Sequence, residues 1–126
     1  MNPLLFVAVA AAGGVGAASR LFLDGLVRTR VGGSFPVGTT IINVSGSLLL
    51  GFVTGLAMNH FLAPQWSVVI GVGLLGGYTT FSTASFETVR LAQSRRYGAA
   101  LANGIGMLVA AVAASGLGLA LAFALG

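Results

Sequence analysis

Five residues between positions 40 and 54 carry the chemistry this chain can offer. Thr40, Asn43, Ser47, Gly51 and Thr54 recur at spacings of 3, 4, 4 and 3. At about 100° per residue they fall within a sector of about 80° on one helix. The result is a narrow stripe of small and polar groups on an otherwise apolar segment. Such a stripe either hydrogen-bonds a neighbouring helix as packing glue or forms one wall of a narrow polar path. Asn43 carries the most weight, because a side-chain amide has two N–H donors that could face an anion.

A second cluster lies at Gly76-Gly77-Tyr78-Thr79-Thr80-Phe81-Ser82-Thr83. Two glycines followed by hydroxyl and aromatic residues are poor material for a continuous helix. A break there, in the middle of an apolar span, would free backbone carbonyls and amides that lipid cannot satisfy. Such breaks persist where they line a cavity or hold an ion; the plainer reading is a kink repaired by the Ser and Thr side chains. The charged residues say less. Arg20 is either an embedded cation or an end-of-helix residue reaching for the interface and paired with Asp24 at i+4. Glu87 is expected to pair with Arg90 at i+3, and His60 stands in a turn with no ligand partner. With no embedded acid pair, no Ser/His/Asp set and no second histidine, an enzyme is not expected.

The elements that position these groups follow from the charges. Of 126 residues, 56% are hydrophobic and 6% charged, and the charged ones are six arginines, Asp24 and Glu87. Residues 1–19, 31–86 and 97–126 carry no charge at all. A membrane-crossing helix takes about 20 apolar residues, so the outer stretches hold one span each and the middle one holds two. The fold class is therefore an all-α integral membrane protein in a single four-span domain, with spans at about 4–26, 37–58, 66–91 and 98–125 and the third broken near mid-membrane. Turn-forming clusters at 32–36, 59–65 and 95–98 separate them, and Trp66 suits an interface position. A cleaved signal peptide is not expected, since no positive segment precedes the first apolar run.

Several other classes fall away. The arginines lie in two short connections instead of on one basic face with interleaved aromatics, so nucleic acid is not an expected partner. No cysteine is present, which excludes disulfides and thiolate chemistry. Gly71-Val-Gly-Leu-Leu-Gly76 matches the dinucleotide fingerprint in letters only, because it sits inside an apolar span with no βαβ context. Gly51-x-x-x-Gly55 and Gly73-x-x-x-Gly77 read as close helix packing in lipid.

Over nearly its whole length the chain resembles the Fluc (CrcB) family of fluoride channels. The matching pieces are Gly13-Gly14-Val15-Gly16-Ala17-Ala18-Ser19-Arg20, Gly38-Thr39-x-x-x-Asn43-x-x-Gly46 and Gly76-Gly77-Tyr78-Thr79-Thr80-Phe81-Ser82-Thr83. The resemblance implies passive fluoride efflux from the cytoplasm through an antiparallel dimer in the cell membrane, with pores along the protomer interfaces. It implies a structural Na⁺ at the dimer centre, held by the carbonyls of Gly76 and Thr79. It places Asn43, Phe81, Thr39, Thr40, Ser47, Ser82, Thr83 and Ser115 along the fluoride path, and gives Arg20, Gly77 and Thr80 structural roles. An uncharged pore of tight donors suits a small, strongly hydrated anion, and Phe81 can present the electropositive edge of its ring.

Two positions depart from the family pattern. A second phenylalanine, expected three residues after Phe81, is Ala84, and a second span 4 hydroxyl, one turn before Ser115, is Ala111. Phe86 lies about 140° round the helix from Phe81 and does not replace the ring that Ala84 lacks. The loops are lopsided as well. Connections 1–2 and 3–4 share one membrane face and hold Arg28, Arg30, Arg95 and Arg96, while connection 2–3 holds no Lys or Arg. The positive-inside rule then puts both termini outside. One preferred orientation points to a heterodimer with an opposite-topology paralogue, beside the homodimer. The rivals are a small multidrug or guanidinium transporter, which needs an embedded carboxylate that the first span lacks before Asp24, and a non-transporting bundle subunit.

Overall fold

Each helix starts and stops where local chemistry dictates. A computed structural model describes residues 2–33 and 35–126. Helix α1 (Pro3–Arg30) opens with Asn2 accepting the Leu5 N–H at 2.7 Å and with proline at the first helical position, where no N–H is needed. Helix α2 (Val37–Met58) begins directly after Pro36. The third span starts at another proline as α3 (residues 64–78), whose central stretch Val68–Leu75 is wound as a π-helix. Thr79 and Thr80 are extended (φ −83°, ψ 158° and φ −147°, ψ 117°), and helix α4 (Phe81–Gln93) follows them. Helix α5 (Tyr97–Ala124) contains a second π-stretch at Ala102–Gly106.

Helices α2 and α4 end in one device. His60 (φ 63°) and Arg95 (φ 62°) take the left-handed conformation just past the helix ends. Phe61 N–H then reaches back to the Leu56 carbonyl at 2.9 Å, and Arg96 N–H to that of Leu91 at 3.0 Å. These are Schellman closures at positions usually given to glycine, so His60 terminates a helix.

The spans Pro3–Arg30, Val37–Met58, Pro64–Gln93 and Tyr97–Ala124 are each long and apolar enough to cross a membrane. Even the 22 residues of α2 extend about 33 Å at 1.5 Å per residue, enough for a hydrocarbon core of about 30 Å. Glycines then pair the helices. A Cβ on Gly51 of α2 would strike the Ser115 carbonyl of α5, and one on Gly118 of α5 would strike the Leu48 carbonyl of α2. In the same way Gly16 of α1 lies on the Leu74 carbonyl of α3, and Gly77 of α3 lies on the Gly13 carbonyl of α1. The bundle is thus two tight pairs, α1 with α3 and α2 with α5, in which backbone approaches backbone without a side chain between. Among the described residues little apolar side chain, such as Ile42, Leu75 and Met107, is buried within the chain. Leu4, Phe6, Phe22, Val72, Leu108 and Val112 face outward, as lipid-facing residues do.

Candidate functional site: an uncharged groove at the third span

Extended residues inside an apolar span leave backbone groups needing partners, and α2 supplies them. Asn43 grips the Thr80 peptide from both sides: its Nδ2 donates to the Thr80 carbonyl at 2.9 Å, and its Oδ1 accepts the Thr80 N–H at 2.8 Å. Thr80 in turn caps α4, its hydroxyl oxygen accepting the Thr83 N–H at 3.2 Å. These bonds have a consequence for the carbonyls upstream. In a continuous helix Thr80 N–H would serve Gly76 and Thr83 N–H would serve Thr79. Here one is turned to Asn43 and the other to Thr80, so the Gly76 and Thr79 carbonyls lose those partners.

Both residues line a groove of about 530 Å³ that runs between α2, α3, α4 and α5. Asn43, Ser47, Phe81, Ser85, Thr88 and Asn103 also line it, and no charged residue does. Phe81 is 87% exposed and stands at its rim. Ala84 and Ala111 open onto the same groove, whereas Phe86 is exposed and does not line it. The two alanines that depart from the family pattern therefore widen one and the same space.

The other sequence candidates scatter. Ser115 donates to the Ser47 carbonyl at 3.3 Å and bridges the α2–α5 pair. Thr40 donates to the Pro36 carbonyl of its own helix. Thr39 is 2% exposed and lies beside Glu87 inside the bundle. Ser82 is exposed with its hydroxyl 3.4 Å from that of Thr80, and Thr83 is half-buried in the first turn of α4. Gly77 turns away from the groove onto α1. Arg20 is half-buried, its Nε enclosed and without a partner.

Of the two readings of Arg20, the end-of-helix pair with Asp24 is not formed: Arg28, which also reaches Glu87, takes the Asp24 carboxylate, Nε to Oδ2 at 3.1 Å. Glu87 lies 3.9 Å from that same Arg28, instead of pairing with Arg90. These groups wall a second cavity of about 490 Å³ at the arginine-bearing end of the bundle. Sequence reasoning passed over Asn103, which is 1% exposed and lines the groove. The available signal was a lone amide in a long apolar span.

Four apolar helices around an uncharged groove, with a gripped, non-helical peptide inside the third span, define an all-α, multi-pass membrane protein. The family model for CrcB-like protein, Camphor Resistance (CrcB), matches residues 7–119. The chain belongs to this family. It is 60% identical over 119 residues to "Fluoride-specific ion channel FluC 1" of Leifsonia xyli subsp. xyli, covering 94% of this chain and 87% of that one. It is 47% identical over 116 residues to "Fluoride-specific ion channel FluC 2" of Cutibacterium acnes, covering 90% and 93%. A third relative, "Fluoride-specific ion channel FluC 2" of Mycolicibacterium paratuberculosis, is 43% identical over 118 residues.

Proposed function

We propose that this chain is a fluoride-specific channel, passing F⁻ passively out of the cytoplasm and so limiting fluoride toxicity. The observation that carries the reading is the uncharged, mostly apolar groove at Phe81, with the Asn43 amide and a few hydroxyls on its wall, in a chain 60% identical to a fluoride-specific channel. Fluoride must exchange its water shell for donors in a tight space, and a groove without fixed charge lets it leave again. Asn43 has one N–H committed to the Thr80 carbonyl and the other 3.2 Å from Met107 Sδ. A thioether is a weak acceptor, so the second N–H is the one an anion would capture. Phe81, at the rim, would turn its ring edge to the same ion.

The working unit we propose is an antiparallel dimer in the cell membrane. The open groove would be completed by a second protomer, and Gly76 and Thr79 of each would turn their freed carbonyls to a shared Na⁺. Uncharged carbonyl oxygens suit a hard monovalent cation, which would supply a fixed positive charge joining the two protomers. A transporter exchanging protons for a cation would need a free embedded carboxylate, and both acids, Asp24 at 3.1 Å and Glu87 at 3.9 Å, lie against Arg28 at the arginine-bearing end.

The partner favoured by the arginine bias is an opposite-orientation paralogue, which could supply the ring missing at Ala84. Tags on each terminus are expected to be accessible only from outside intact cells; equal labelling on both sides would overturn the single orientation and favour the homodimer. The function itself is tested with liposomes holding this chain alone, a fluoride electrode and a chloride control. Rapid fluoride release with chloride retained is expected if a homodimer suffices. Release that appears only with a co-expressed paralogue means an obligate heterodimer, and silence in both cases overturns the channel reading.

A further inference from the structure

Helix α4 is a half-span of 13 residues with one flank open to the groove. A helix so short does not hold itself in place, and Leu91, near its far end, is its one fully buried residue. Its beginning is held by Asn43 through Thr80. Its next stretch, at Ala84 and Thr88, is held by a second asparagine, on α5. Asn103 donates from Nδ2 to Thr88 Oγ1 at 2.8 Å and to the Ala84 carbonyl at 3.4 Å. The Thr88 hydroxyl gives its own proton to that Ala84 carbonyl at 2.8 Å, so its oxygen is left as an acceptor and the amide must present its NH₂ there. Asn103 Oδ1 is left buried with no partner. Buried polar atoms without partners are uncommon and call for a reason; here the amide is turned to serve α4 at the expense of its own carbonyl. The π-stretch Ala102–Gly106, which shifts the helix phase, carries Asn103 at this point, and the backbone of Gly104 packs close to the Thr88 methyl.

We propose that Asn103 is a positioning residue of the pore: through Thr88 and the Ala84 carbonyl it holds the second half of the third span at the rotation that faces Phe81 and Ser85 to the groove. The proposal rests on the channel reading for its flux test, so a second readout is independent of flux.

The chain has no cysteine, and Ser85→Cys therefore gives a single thiol in the groove for a water-soluble methanethiosulfonate reagent. Asn103→Leu and Thr88→Val, each nearly isosteric and unable to bond, are made in the parent and in the Ser85→Cys background. Each is expected to slow fluoride flux about tenfold and to change the labelling rate several-fold. The double variant should be no worse than the worse single one, because both break one contact, and Thr88→Ser should recover flux relative to Thr88→Val. Labelling unchanged in both variants, or losses that multiply in the double variant, would overturn the latch. If the parent passes no fluoride either alone or with a co-expressed paralogue while labelling still shifts, the channel reading fails and the latch stands. Should Asn103→Leu not fold, Thr88→Val decides alone.

Discussion

Replacing Asn43 by leucine is expected to slow fluoride flux about a hundredfold while the four spans remain folded. The change removes two hydrogen bonds from the Thr80 peptide. The Thr80 N–H, extended inside an apolar span, has no helical partner to fall back on, whereas the Thr80 carbonyl, as that of the α4 N-cap, also serves the helix. Leaving buried donors and acceptors unmade costs about 1–3 kcal/mol each, and about 3 kcal/mol in total corresponds to two decades. The loss is expressed as a shifted population of the Thr79–Thr80 segment and of everything it orders: the α4 cap, Phe81 at the rim, and the Gly76 and Thr79 carbonyls. Asn43→Asp separates the grip from the donor. It can still accept the Thr80 N–H, but sets a second oxygen against the Thr80 carbonyl and brings an anion into an uncharged groove. Its flux should be at least as low, with fluoride repelled as well as the grip halved. Initial efflux rates from liposomes, compared at equal amounts of monodisperse protein, make the check. Flux within threefold of the parent for a folded Asn43→Leu would remove Asn43 from both roles.

The stripe containing Asn43 was visible in the sequence because its spacing is helical and its surroundings are apolar. Its partner was not, since that requires knowing that residue 80 comes opposite residue 43 once α2 and the third span pack. The same limit separates the other stripe residues. Ser47 reaches the groove, whereas Thr40 satisfies its hydroxyl on its own helix. Thr39, one residue round, is buried in the bundle beside Glu87. For Asp24 an arginine stands four residues away on either side, and spacing alone could not choose between them. Asn103 has no polar companions at helical spacing, so nothing periodic flagged it; its significance comes from Thr88 on another helix. The four spans were the most legible part, because sparse charge in a bilayer protein marks the ends of spans directly. The left-handed residues His60 and Arg95 were the least, since neither is the glycine that usually announces such a turn.

Gly14 and Gly16 lie two residues apart in α1, and alanine is expected to have opposite effects at them. A Cβ at Gly16 would overlap the Leu74 carbonyl and come within 2.9 Å of the Tyr78 N–H nitrogen, while one at Gly14 meets nothing within 4 Å. In helix propensity the two substitutions are the same, each gaining up to about 1 kcal/mol over glycine. Any difference between them is therefore packing. At Gly16 backbone faces backbone, with no flexible side chain to move aside, and forcing extra volume into such a contact costs about 1–3 kcal/mol or more. Gly14→Ala should match or slightly exceed the parent in thermal midpoint in detergent, and Gly16→Ala should fall well below it. Function should follow, because α3 is registered on α1 at this contact and again where Gly77 meets the Gly13 carbonyl. Displacing α3 moves Tyr78 and Thr79, which carry the chain into the peptide that Asn43 grips. Gly16→Ala is thus expected to lose fluoride flux along with stability, whereas Gly14→Ala keeps both. Equal midpoints for the two variants would mean that α1 and α3 are not held by this approach, and that the third span takes its position from α2 alone.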